Sequence, residues 1–499
     1  MRNACYKLGI LIAAILALTA CQDESKNGEP PVSVTGISLE KAPDLTLFAS
    51  HRLTLNFSPA NATNKRVIWK SSDPDVVSVA DNGTITALKY TDAETGTGQA
   101  TITVTTVDGG FTDTCVVTAT MTAQVYITDL PPLKDSFKNY FMMGNIFDPN
   151  DVSDTEPYTI NKAYLTYHYN ILTHQNNMKP SYLCGAARGQ YNTANIATAK
   201  RMINAALARG IKVQGHCLLW HSQLPAWQNN LRTSADTPEQ VLDYLRDYIT
   251  YIVTEFKGSI YAWDVLNEAF KDGVSAGADW RTGAMRDGAN DGNPWYMKLG
   301  ADFVYEGFLA ARLADPDIIL YYNDYNLDTV GKATMVRNMV RDVNAQYARE
   351  HPEANGRLLI EGIGMQSHHN AGVTAAAIKA SLDLFRPLGV KISISELDVL
   401  AQSWSDYSSQ RPVTTEGLLN QANMYGDYFK VFLDNADIIE RVTFWGVSDA
   451  GSWRGRGLPL PFDGKSEGWW NLIPESIKAK PAYYKIIKAL EAKQANKKL

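Results

Sequence analysis

From about Ala123 onward the chain alternates eight short apolar runs with amphipathic helical patterns, and this alternation limits the fold more than any other feature. The runs are Phe141–Phe147, Ile171–Met178, Lys212–Trp220, Ile260–Glu268, Ile318–Asn326, Glu361–His368, Lys391–Val399 and Arg441–Asp449. Their length and their apolar, β-branched and aromatic content suit parallel strands covered on both faces. The intervening segments have helical period. In Thr237–Phe256, Thr237 is an N-cap, Pro238 takes the first helical position and Gln240 completes a capping box. Val241, Leu245, Ile249, Ile252 and Phe256 then form one apolar stripe, which Gly258 ends. Strand–helix units repeated eight times predict an α/β fold, a closed (β/α)8 TIM barrel. The alternative is a doubly wound sheet, but no GxGxxG turn follows the first strand.

Polar residues gather at one end of these runs. His174, Gln175, Asn176 and Lys179 end the second, and His216, Trp220, His221 and Gln223 lie at or past the third. Asn267 and Glu268 end the fourth, Asn323 and Asp324 the fifth, and Gln366 and His368 the sixth. Glu396 and Asp398 end the seventh, KISISELDV, and Trp445 and Asp449 the eighth. A buried strand-end carboxylate such as Glu396 is costly without a partner or a role. Taken alone it reads equally well as half of a structural salt bridge. Polar groups of structural origin would not all favour one end, and the C-terminal rim is where barrel enzymes keep their active sites.

Two carboxylates stand out, Glu268 on the fourth run and Glu396 on the seventh, which face each other across a barrel mouth. With no HExxH or CxxC pattern, this pair points to glycoside hydrolysis rather than metal chemistry, and no metal or cofactor is expected. One carboxyl must be protonated to donate to the leaving oxygen and the other ionised, so their environments must push their pKa values apart. Asn267 is placed to hydrogen-bond a sugar 2-hydroxyl, a contact that strengthens in the oxocarbenium-like transition state. His368 is expected to orient Glu396 with Asp398 behind it, and His216 with Asp264 to form a similar supporting pair.

The N-terminal part is different. Met1–Lys7 is short and basic and Leu8–Ala20 is an apolar run too short for an ordinary membrane span. Leu18-Thr19-Ala20-Cys21 resembles a bacterial lipobox, which implies a signal peptide over 1–20, lipid attachment at Cys21 and an outer-membrane lipoprotein. The following Gln22-Asp23-Glu24 resembles the acidic tag of surface-exposed lipoproteins. Residues 21–33, with Pro30-Pro31, read as a tether. Residues 34–122 read as a small all-β sandwich, with strands such as Arg52–Phe57, Val67–Trp69 and Ala100–Val107 between Pro, Asn-Gly and Gly-Gly punctuation. Its segments SPANATNKRVIWKSSDPDVVSVADNGTITAL and GQATITVTTVDG are similar to the bacterial immunoglobulin-like domain of the second group, which implies a spacer or adhesion module. Trp69 is expected in its core. The catalytic domain is then 123–495.

Three cysteines remain beyond Cys5 and Cys21, too few for a disulfide framework; Cys115, Cys184 and Cys217 are expected to be free buried thiols, with a Cys184–Cys217 bridge as the alternative. A net charge of −6, from 53 acidic and 47 basic residues, does not advertise binding to nucleic acid or to an anionic membrane surface. Membrane contact is expected through the lipid alone, and a monomer is expected. Eleven Trp and 25 Tyr supply aromatic surface of the kind that stacks on sugar rings, although most aromatics in a barrel are core.

The stretches NNMKP, GHCLLWHSQLPAW, WDVLNE, LYYNDYN, GIGMQSH, ISISELDV, TFWGVSDAGSW and KPAYY, in this order, resemble glycoside hydrolase family 10, the retaining endo-1,4-β-xylanases, from about Leu133 to Lys488. The resemblance implies Glu268 as acid/base, Glu396 as nucleophile, a covalent glycosyl-enzyme intermediate, and xylan or xylo-oligosaccharides as substrate. It also implies that Asn176, Lys179, His216, Trp220, Gln223, Asn267, Gln366, His368, Trp445 and Trp453 line the glycone subsites. One departure stands out: Gln175 precedes Asn176 where the family carries Glu. Gln still accepts a hydrogen bond but loses the charge-assisted part, about 1 kcal/mol. The loop Ser452–Gly468 is expected to close the cleft with Trp453 as an aromatic lid, with Arg454 and Arg456 either touching substrate or solvated. Trp469-Trp470 are expected to be packing residues. The competing readings are a related glycosidase acting on another β-glycan, separated by a polysaccharide panel, and a non-catalytic glycan binder, which would bind xylan yet release no product.

Overall fold

The computed structural model describes residues 30–46, 49–88, 97–120, 126–467 and 472–496. Cys21 and the signal segment, Trp469 and Trp470 lie outside the described residues.

The C-terminal part is a closed barrel of eight parallel strands: β1 (Met142–Phe147), β2 (Ile171–His174), β3 (Lys212–Leu219), β4 (Ala262–Asn267), β5 (Ile319–Asp324), β6 (Gly362–Met365), β7 (Lys391–Val399) and β8 (Ile439–Phe444). Neighbours pair in sequence from β1 to β6, β8 pairs with both β1 and β7, and β6 pairs with β7 to complete the ring. The strands are buried almost throughout, which is why they read as continuous apolar runs. Several end sooner than expected. β2 stops at His174, beyond which Gln175, Asn176 and Lys179 line the mouth while Met178 turns into the core, and a two-residue piece, His368–His369, pairs separately with β7.

The helices cover the barrel outside. The one over Pro238–Glu255 has Thr237 and Gln240 forming its capping box, and it buries Val241, Leu245, Tyr248, Ile249, Ile252 and Val253. Such a cap contributes about 1 kcal/mol; the buried stripe contributes more, at about 25 cal/mol per Å² of apolar area. Tyr248 also donates its hydroxyl to the carbonyl of Leu218 on β3 at 2.9 Å, fixing helix against strand.

The N-terminal module is all-β, with a four-stranded and a three-stranded sheet and one further strand pair. Its core includes Leu45, Val77, Ile85, Ile102 and Val117, and Trp69 packs half-buried against it. The expected single strand Arg52–Phe57 is instead two strands that change partner. Ser50–Arg52 pairs with Thr84–Ala87, whereas Leu55–Ser58 pairs with Gly36–Leu39. Cys115, Cys184 and Cys217 are free and buried, so no Cys184–Cys217 bridge forms.

Candidate active site

A cleft of about 850 Å³ opens at the C-terminal mouth of the barrel, and both Glu268 and Glu396 line it. Glu268 follows the last residue of β4. Its backbone is left-handed, φ 54°, and its N–H donates to the carbonyl of Asn323 at 2.8 Å. A non-glycine residue held there costs about 1–3 kcal/mol, so its surroundings dictate where the carboxylate points. Oε2 accepts the indole N–H of Trp220 at 2.9 Å. Oε1 accepts from Gln366 at 2.9 Å and from Asn267 at 3.2 Å.

Glu396 sits inside β7, 5% exposed. Its Oε1 accepts from the Asn323 amide at 2.8 Å, and its Oε2 lies 3.2 Å from His368 Nε2. The other ring nitrogen of His368 lies 2.9 Å from Asp398. Asp398 also accepts from Trp453 Nε1 at 2.9 Å and from Arg454 at 2.5 Å. With a carboxylate on each side, the imidazole is a double donor. Burial alone would lower its pKa, but Asp398 and Glu396 outweigh burial and push it up to about 9. Burial also works to raise Glu396. The hydrogen bond from His368, the neighbouring His216 and the Asn323 amide overcome this and hold the carboxyl below its usual range. Glu396 is therefore ionised at neutral pH in a buried position.

One amide network joins the two carboxylates. Asn323 donates to Asn267 at 2.9 Å as well as to Glu396, Gln366 donates to Asn267 at 3.2 Å as well as to Glu268, and Ser395 donates to Asn323 at 2.5 Å. Gly364 leaves the space for it, since a Cβ there would lie 2.1 Å from Asn323 Oδ1.

The residues singled out in the sequence separate into two sets. Gln175, Asn176, Lys179, His216, Trp220 and Gln223 line the cleft from β2 and β3; Asn267, Gln366, His368, Trp445 and Trp453 line the rest. Lys179 donates to Asn176 at 3.0 Å and stands 5.2 Å over the Trp220 ring. Asp264 and Asp398 stand behind the cleft. Asp264 faces His216 Nδ1 at 2.9 Å and accepts from Gln214 at 2.9 Å. Trp453 is 51% exposed over the mouth, its ring edge-on to His368 at 5.0 Å. Of the two expectations for Arg454, the solvated one does not hold, and the side chain lines the cleft. It is 4% exposed and paired with Asp398, so its charge serves the carboxylate rather than solvent. Arg456 is exposed and donates to the carbonyl of Tyr407 at 2.8 Å.

Several residues without an expected role also shape the site. Asn323 is the amide bridge; its place at a strand end was the available signal. His221 Nδ1 lies 3.8 Å from Glu268, and burial pushes this imidazole down to about 4, leaving it neutral. Arg286 donates to the Glu268 backbone carbonyl at 3.0 Å. Asp272, Tyr325, Asn326, Asn370 and Trp404 extend the cleft along the loops after β4 to β7. Among the described residues no group of three or more His, Cys, Asp or Glu is arranged to hold a metal ion.

Fold and site together define a (β/α)8 barrel with a paired-carboxylate cleft. Residues 132–489 match the family model for glycosyl hydrolase family 10, and residues 33–117 match that of the bacterial Ig-like domain, group 2. The chain belongs to glycosyl hydrolase family 10. It is 34% identical to endo-1,4-beta-xylanase A of Thermotoga neapolitana, over 72% of this chain and 32% of the relative. It is 32% identical to exoglucanase XynX of Acetivibrio thermocellus, over 72% of this chain and 29% of the relative. The chain thus spans about a third of the length of these curated relatives. Among solved structures, a bacterial Ig-like domain containing GH10 xylanase from termite gut is 43% identical, with a TM-score of 0.72 over 91% of this chain and 99% of that one.

Proposed function

We propose that this protein is a retaining endo-1,4-β-xylanase that hydrolyses internal bonds of xylan. The observation that carries this reading is the contrast between its two cleft carboxylates. Glu396 is buried and held ionised against His368. Glu268 sits at the mouth, bound by Trp220 and Gln366. Glu396 attacks the anomeric carbon while Glu268 protonates the departing oxygen, giving a covalent glycosyl-enzyme. Glu268 then takes a proton from water as it attacks the same carbon, releasing Glu396 and the sugar with net retention. Asn267 meets the 2-hydroxyl, and Gln175, Asn176, Lys179, Trp220 and Gln223 hold the glycone sugars. The likeness to a protein named exoglucanase gives a second reading, the same chemistry on β-1,4-glucan.

Reducing-sugar release from xylan, carboxymethyl cellulose and mixed-linkage glucan separates these readings. Release from xylan first, a fresh product of retained configuration by NMR, and at least ~10³-fold loss in Glu396→Ala are expected. Inversion, or an unaffected Glu396→Ala, overturns the assignment. At the N-terminus, lipid attachment at Cys21 would place the enzyme on the outer membrane with the immunoglobulin-like module as spacer. Radiolabelled palmitate should enter the wild type and not Cys21→Ser, and loss of signal after protease treatment of whole cells would mark surface exposure.

A further inference from the structure

We infer that Trp404 is a stacking platform for a pyranose ring on the leaving-group side of the cleft. This inference rests on the proposed glycosidase reading and extends it. Trp404 is 57% exposed and lines the same cleft as Glu268 and Glu396. A single exposed apolar side chain on a convex surface needs no explanation. An indole open to a concave polar cleft is different, because its face is apolar while the surrounding groups hydrogen-bond. That combination fits a sugar, whose ring presents C–H groups on one face and hydroxyls around its edge.

The ring is held rather than loose. It starts the short helix Trp404–Ser408, whose N-cap Ser403 accepts from the Asp406 N–H at 3.1 Å. Asp406 is in turn paired with Arg411 at 2.8 Å. Tyr407 packs beside the indole at 5.6 Å between centroids, and the Arg454 guanidinium lies 5.8 Å from each ring. Arg454 is itself fixed by its buried pair with Asp398. A side chain with two rotatable bonds, fixed on one side and open on the other, loses little entropy on binding.

Its place in the barrel gives the direction. The proposed glycone contacts come chiefly from β8, β2 and β3, which lie on one arc of the ring with β1 between them. Trp404 follows β7 and shares the opposite arc with Asp272, Tyr325 and Asn370. A chain crossing between Glu268 and Glu396 therefore leaves the glycone arc and passes Trp404 on its leaving-group side.

The test compares two substrates that share a glycone. Xylohexaose reaches both arcs, while β-xylobiosyl fluoride has a single-atom leaving group. In Trp404→Ala the loss of kcat/KM on xylohexaose should exceed the loss on the fluoride by about tenfold, the factor expected from one desolvated aromatic contact. Trp404→Phe should recover most of the difference, and the hexaose cleavage pattern should shift in the alanine variant. Equal losses on the two substrates, or none on either, overturn the inference. If the wild-type enzyme cleaves neither substrate, the glycosidase reading itself fails.

Discussion

His368 Nε2 stands 3.2 Å from Glu396 Oε2 while its Nδ1 faces Asp398 at 2.9 Å, so one imidazole is shared by two buried carboxylates. This relationship sets both the charge of the proposed nucleophile and a pH dependence of the fold. His368 is raised from its ordinary 6.5 to about 9. A raised cationic group stabilises the folded state fully below its unfolded pKa and loses that contribution as pH climbs through the folded one. The melting temperature should therefore fall between about pH 6.5 and pH 9, and His368→Gln should flatten that slope. With the cation gone, Glu396 loses a group that holds its pKa down. The acidic limb of kcat/KM should then move to higher pH in the same variant. Unchanged melting and rate profiles would show that His368 is not the charged partner.

The space at Gly364 makes a second prediction. An added Cβ would meet Asn323 Oδ1 at 2.1 Å and Ser395 Oγ at 3.2 Å, pushing the amide that holds Glu396. Overpacking typically costs about 1–3 kcal/mol, and displaced catalytic groups can lower rates about 10²-fold. Gly364→Ala should lose activity well beyond its loss of stability. Gly307→Ala is the comparison: its Cβ would meet Leu219 Cδ1 at 2.6 Å, on a covering helix. It should lower the melting temperature while kcat stays close to wild type. Similar kcat in both variants would argue against the amide bridge.

How far the sequence revealed these features depends on range. The barrel was legible because parallel strands covered on both faces must be apolar, and because their polar residues fell at one rim. The pairing of His216 with Asp264 followed from that placement alone. Strand ends were less legible: whether Gln175 continues β2 or turns into the mouth depends on ring closure, not on neighbouring residues. The split after Arg52 has the same origin, since the partner strands Thr84–Ala87 and Gly36–Leu39 lie far apart in sequence. Arg454 and Trp404 were opaque for a further reason. Each sits in a long βα loop, where contacts to Asp398 or to the cleft arise only after the loop folds back over the rim.

Gln175 is 7% exposed and lines the cleft where the family resemblance leads one to expect Glu. Its backbone N–H donates to Phe147 at 3.2 Å, so the side chain projects from a fixed position. Restoring the charge should strengthen a hydrogen bond to a glycone hydroxyl by about 1 kcal/mol, roughly fivefold in affinity. Gln175→Glu should lower KM on xylo-oligosaccharides by about that factor with little change in kcat. An unaltered KM and product pattern would show that residue 175 does not contact the sugar.

Arg454 and Asp398 form a buried pair, 4% and 0% exposed at their side chains. Such a pair is weak evidence for net stability, because removing both charges from water is costly. Removing only one is worse, since it leaves the other unpaired, at about 3–5 kcal/mol. Arg454→Met should therefore lower the urea midpoint substantially, even though Asp398 keeps His368 and Trp453. The double variant Arg454→Met/Asp398→Asn should unfold later than the sum of the single losses implies, because it strands no charge. Strict additivity in that cycle would mean that Arg454 does not compensate Asp398 and that His368 alone neutralises it.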